Sequence, residues 1–123
     1  MERSRWIWSG QIDCFGIPRQ QRDGIIRYAI DEIHQQGGEI QIRKLPNRYD
    51  TDRYKIYCEI PGDARPLKIL LRNLAALMPE DHPMQEIEGY NQSQMQREDL
   101  ILHKNKVVRR SWEWQPRDEV LVR

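Results

Sequence analysis

Three histidines, two cysteines, one cluster of side-chain oxygens and one stretch of interleaved cations and aromatics are the residues whose types suit chemistry in this chain. His34, His82 and His103 each lack a second histidine or cysteine at ligand spacing, so the pattern of a zinc site is missing. His34 follows Asp31 by one helical turn, an ordinary surface pair. Cys14 and Cys58 stand far apart with no C-x-x-C and no histidine placed to activate them, and they read as reduced, inert core thiols. The serines at 4, 9, 93 and 111 lie in no G-x-S-x-G elbow.

Asp50-Thr51-Asp52, with Asn47 nearby, offers the oxygens a hard cation takes, but it lacks the glycine and distal glutamate of a calcium loop. Turn chemistry explains those residues better. Gly37-Gly38 follows a helical pattern instead of preceding one, so it suits a helix C-terminus and not a phosphate cradle. No cofactor or metal is expected, and an enzyme is not favoured.

Binding surfaces are the better prospect. Lys104, Lys106, Arg109, Arg110, Trp112 and Trp114 interleave positive charge with aromatic rings, as binders of single-stranded nucleic acid do to neutralise phosphates and stack bases. Glu98, Asp99, Glu113, Asp118 and Glu119 flank them, and a cationic hairpin is also how a sheet discourages edge pairing. A second candidate surface joins Gly24 and Tyr28, on the outer face of the first helix, to Tyr57 and Arg43, on the uncovered side of the sheet. Glycine inside a helix is about 1 kcal/mol worse than alanine, and Gly24 faces away from the core, which suits a docking shelf beside Tyr28. Ile69 and Ala76 lie outside the apolar stripe of the second helix and imply a second covered face, supplied by the C-terminal arm or a partner.

The elements that carry these residues follow from periodicity. Trp6, Trp8, Gly10, Ile12 and Cys14 alternate with mostly polar neighbours and predict a strand over 5–14. Pro18 then opens a helix to about Gln36 with Arg22, Ile26, Ala29, Ile30 and Ile33 inward. Glu39–Leu45 and Tyr54–Ile60 alternate as a hairpin pair, and Leu67, Leu70, Leu71, Leu74, Leu77 and Met78 form one face of a second helix that Pro79 stops. The segment 80–96 shows neither period and reads as a polar loop or arm. Beyond Asp99 come a hairpin turning at Lys104-Asn105 and a short strand, Val120–Val122.

Together these make a single α+β domain over 1–123, with a core at 5–78, an arm at 79–98 and a C-terminal β segment at 99–123. The order strand, helix, strand, strand, helix, strand suggests a ferredoxin-like split βαβ fold with an extra C-terminal hairpin and a short final strand. The first and third strands are expected side by side and parallel, with Cys14 and Cys58 at similar heights. The first strand is also expected to pair with a C-terminal strand, bringing Trp6 and Trp8 against Trp112 and Trp114.

A net charge of +1 draws no polyanion to the whole molecule, so any nucleic-acid affinity must be local. The first residues carry no apolar leader, and no run of about 18 apolar residues could span a bilayer, so the cytoplasm is the expected compartment. The expected function is a non-enzymatic protein-interaction, adaptor or regulatory accessory domain. Its partner is another protein or a second copy of itself. The alternative is an accessory protein that binds single-stranded RNA or DNA through the basic hairpin, with a small enzyme ranked third.

Overall fold

The computed structural model describes residues 5–45, 52–112 and 116–122. Alternation makes the first strand, β1 (Arg5–Asp13), with Trp8 and Ile12 buried and Arg5, Ile7, Ser9 and Gln11 outward. Helix α1 (Arg19–Gln35) follows Pro18 and buries Arg22, Ala29 and Ile33. It ends where Gly37 takes φ +79°, a turn that lets the N–H of Gly38 reach the Ile33 carbonyl at 2.9 Å and that of Gly37 the His34 carbonyl at 3.1 Å. The paired glycines are thus a helix stop, as their position after the pattern implies.

Strands β2 (Glu39–Lys44) and β3 (Arg53–Pro61) form the anticipated antiparallel hairpin. Asp63 Oδ1 accepts the N–H of Arg65 at 3.1 Å at the start of α2 (Arg65–Leu77), where Pro66 needs no hydrogen-bond partner of its own. Leu67, Leu70, Leu71 and Leu74 of this helix are fully buried. Four further strands complete the sheet: β4 (Gln85–Asn91), β5 (Gln96–His103), β6 (Lys106–Trp112) and β7 (Pro116–Leu121).

The result is an α+β architecture with two helices on one face of a seven-stranded antiparallel sheet, in the order β2-β3-β1-β4-β5-β6-β7. Three expectations are corrected. First, β1 and β3 are neighbours but antiparallel, with Arg5 facing Pro61 and Asp13 facing Arg53. The crossover through α1 returns β2 in the direction of β1, and the hairpin then sends β3 back between them, so β3 must oppose both. Cys58 therefore lies opposite Trp8, while Cys14 sits six residues further along, about 20 Å away, and both thiols are free.

Second, 79–98 is not an arm, for it contains all of β4 and the start of β5. Third, β1 pairs with β4 and not with a C-terminal strand, so Trp6 and Trp8 stack on each other with centroids 5.6 Å apart. Trp112 lies in β6, three strands from β1, and Trp114 falls outside the described residues. What fills the β1–β4 seam is an exchange of large for small. Trp8 lies against Gly89 so closely that a Cβ there would collide with its ring, and a Cβ on Gly10 would come within 2.7 Å of the Ile87 side chain.

A charge is built into α1. Arg22 is 3% exposed, bonds Asp52 at 2.8 Å and lies over the Tyr54 ring at 5.5 Å. Burial opposes its charge, but the bond to Asp52 and the surrounding negative groups outweigh it and raise its pKa. Asp52 thus belongs to a structural ion pair, while Asn47, Asp50 and Thr51 of the same loop lie outside the described residues.

Candidate binding surfaces

The basic hairpin turns where expected. Lys104 and Asn105 take φ of 52° and 62°, the pair of left-handed residues that a two-residue turn joining twisted strands requires. Its tip is committed to the fold. The Asn105 side chain donates to the carbonyls of Ala75 at 2.9 Å and Met78 at 2.6 Å, satisfying the end of α2. Its backbone N–H donates to His82 Nε2 at 3.0 Å, and His82 Nδ1 meets the Pro83 carbonyl at 3.0 Å, so both nitrogens of this buried ring are occupied.

Along β6 the cations then divide between faces. Val107 packs into the core beneath α2 and Arg109 shares its side, with a buried Nε that has no hydrogen-bond partner. Lys106 and Arg110 fall on the other side, Arg110 opposite Asp99. Lys104 and Lys106 are exposed, but the strand does not set Arg109 and Arg110 on one track. Trp112 is placed by its backbone, facing Arg97 and Pro116.

On the helical side, Tyr28 is exposed and borders a groove of about 220 Å³ between α1 and α2, with Ile25, Glu32, Arg65, Ile69 and Asn73. Ile69 therefore turns towards α1, which supplies the cover assigned above to an arm or partner. At Gly24 a Cβ would meet nothing within 4 Å.

The opposite sheet face carries no helix among the described residues, and the register fixes its rows. One row runs Glu39, Glu59, Ile7, Tyr90, Arg97; the next Gln41, Tyr57, Ser9, Glu88, Asp99; a third Arg43, Lys55, Gln11. Ile7, Tyr57 and Tyr90 are 36%, 39% and 44% exposed, and Ile7 directly faces Tyr90 with Tyr57 on the diagonal, within side-chain reach. Around them Arg5 pairs with Glu59 at 3.0 Å, and Arg97 pairs with Glu88 at 3.2 Å and Asp99 at 3.1 Å. Partial burial and a hydrogen bond to Asp99 lift the pKa of Glu86 beside them. Arg43 and Lys55 have no carboxylate partner among the described residues.

Sequence reasoning found Tyr57 and Arg43 on this face and missed Tyr90. The missing signal was an alternation with a single apolar member, Ile87, since the other inward positions of β4 are Gln85, Gly89 and Asn91.

Burial pushes both thiols up to about 12, leaving neither as a thiolate near neutral pH. Among the described residues no three histidines, cysteines or carboxylates are grouped to hold a metal ion, and no helix is long and apolar enough to cross a membrane. In comparison with known proteins, no family model matches the chain, and no curated protein or solved structure matches it significantly.

Proposed function

We propose that this chain is a non-enzymatic interaction domain that docks a partner protein on the uncovered face of β3, β1 and β4. The observation that carries this reading is the contiguous Ile7, Tyr57 and Tyr90, bordered by charges already neutralised within the chain. Protein interfaces concentrate their energy in such aromatic centres with a polar rim, and an internally paired rim adds little attraction for a polyanion. The order β2-β3-β1-β4 and the antiparallel pairing support reading the first six elements as a ferredoxin-like split βαβ unit, extended by β5, β6 and β7. Two buried, unpaired thiols favour a reducing compartment and so support a cytoplasmic location.

A second reading, single-stranded RNA or DNA on the same face, is favoured by one observation: among the described residues Arg43 and Lys55 have no carboxylate partner in the row beside Tyr57. Two measurements separate the readings. Partner capture by the tagged protein should survive about 0.5 M salt, roughly three times physiological ionic strength, and be lost in the Tyr57→Ala/Tyr90→Ala double variant with circular dichroism unchanged. Capture indifferent to both tyrosines would overturn the protein reading. Micromolar binding of labelled oligonucleotides that falls steeply with salt and weakens in Arg43→Ala/Lys55→Ala would establish the second instead.

A further inference from the structure

The edge strand β2 sets two of its charges opposite like charges of β3, although Glu59 is also paired with Arg5 at 3.0 Å. Glu39 lies directly across from Glu59 of β3, and Arg43 directly across from Lys55. Like charges facing each other across a ladder are unfavourable. Among the described residues the other flank of β2 has no strand, because β2 ends the sheet. Every residue of β2 is exposed or half-exposed, including Ile40 and Ile42, which pack only partly against the core.

Read in both directions, the strand is complementary to itself. In an antiparallel pair of copies with Gln41 facing Gln41, Glu39 of one faces Arg43 of the other and Ile40 faces Ile42, with side chains on matching faces of a continuous sheet. Sliding the register by two residues either way loses both ion pairs. Lys44, whose charge guards the edge, would then face Gly38 and meet no side chain. The far edge, β7, opens with Pro116, which has no N–H to offer.

We infer that β2 is a self-association edge, and that two copies join there about a two-fold axis through Gln41 into one continuous sheet. Each copy brings a cation against the partner's Glu39, whose neighbour Glu59 is held by Arg5, and an anion against its Arg43–Lys55 pair. The interface lies at one end of the open face, beside Tyr57, and shares Arg43 with the nucleic-acid reading, so its test uses the pure chain with no partner or oligonucleotide present.

The test is the solution mass by light scattering across a concentration series, with charge-reversal variants. The wild-type chain should reach twice 14.9 kDa. Glu39→Arg and Arg43→Glu should each weaken the dimer about tenfold, since by symmetry each turns two attractive pairs repulsive. The Glu39→Arg/Arg43→Glu double variant should recover the wild-type mass. Each single reversal also relieves a like-charge pair within the chain, so the monomer keeps its fold while the dimer suffers. Separately, Gln41→Cys should cross-link under mild oxidation, because facing residues of a strand pair lie about 4.5–5.5 Å apart, within disulfide range. Cys14 and Cys58 are buried and do not compete. A single-chain mass at every concentration, a dimer indifferent to the single reversals, or a dimer that Gln41→Cys does not cross-link would each overturn the inference.

Discussion

The two ends of this chain build the same sheet by different means. From β1 to α2 the interior is mostly apolar: Trp8, Ile12, Ile33, Ile56, Ile60, Leu67, Leu70, Leu71 and Leu74 are each buried to 2% exposure or less, while Leu77, expected on the same face of α2, is 37% exposed, and Arg22 is the one charge carried in from α1. From His82 onwards the interior is anchored by polar groups. His82, Asn91 and Asp99 are buried, Asn105 holds the end of α2, and Lys68 reaches from that helix to Glu98 at 3.1 Å with both side chains largely out of water. The first region draws its stability from area removed from water, which is insensitive to detail; the second depends on particular partners.

The sharpest way to break this comparison is at Lys68. Removing one member of a buried ion pair strands the other, so Lys68→Ala should lower the unfolding free energy by about 3–5 kcal/mol in urea titration. Replacing both, as Lys68→Met/Glu98→Leu, should return stability to within about 1 kcal/mol of wild type, since a packed apolar pair does as well as a buried ionic one. If the single variant is nearly silent, the C-terminal strands do not depend on their polar anchors, and the contrast fails.

The seam between the two regions is the next point of attack. Gly89→Ala drives a methyl group into the Trp8 ring and should cost about 2–3 kcal/mol through overpacking. The same change made with Trp8→Leu should cost measurably less than the sum of the two alone, because the residues act as one contact. Additive losses would show that some other feature of β4 is responsible.

Asn105 comes third. Asn105→Gly keeps access to the left-handed turn but loses both bonds to the α2 carbonyls, and should cost about 1–2 kcal/mol. Asn105→Ala should cost about 1 kcal/mol more, because alanine must also adopt a φ of 62°. Equal losses would assign the whole effect to the side-chain bonds.

This division also explains what could be read in advance. Where burial is apolar, periodicity reports it: β1, α1, β2, β3 and α2 fall within a residue or so of the expected bounds. Where burial is polar or empty, it does not. In β4 the place of one inward side chain is taken by Trp8 from β1, leaving glycine at 89. Another is Asn91, whose Oδ1 accepts bonds from Ser93 Oγ at 2.9 Å and the Gln94 N–H at 3.1 Å to shape the following turn. No periodic signal survives that exchange, and with β4 hidden both the partner of β1 and the exposed Tyr90 were hidden too. The direction of β3 was recoverable without any side chain, since the crossover and the hairpin jointly dictate it. Of the basic hairpin, the turn was legible from Lys104-Asn105, but the division of Arg109 and Arg110 between faces depends on strand phase, which Val107 settles only once it is known to lie under α2.

The smallest effect tests the tolerant region, through a glycine that contrasts with Gly89. At Gly24 an added Cβ meets nothing within 4 Å, and the residue sits inside α1 on its outer face. Alanine there removes backbone freedom from the unfolded chain without disturbing any neighbour, so Gly24→Ala should stabilise the protein by about 0.5–1 kcal/mol. For a domain of this size that is a rise of about 2–4 °C in Tm. Two glycine-to-alanine changes in one small chain should therefore have opposite signs, decided by whether a tryptophan or open solvent stands where the methyl goes. A Gly24→Ala variant no more stable than wild type would mean that the outer face of α1 is occupied in solution, and would move the search for a docking surface from the open sheet to the groove beside Tyr28.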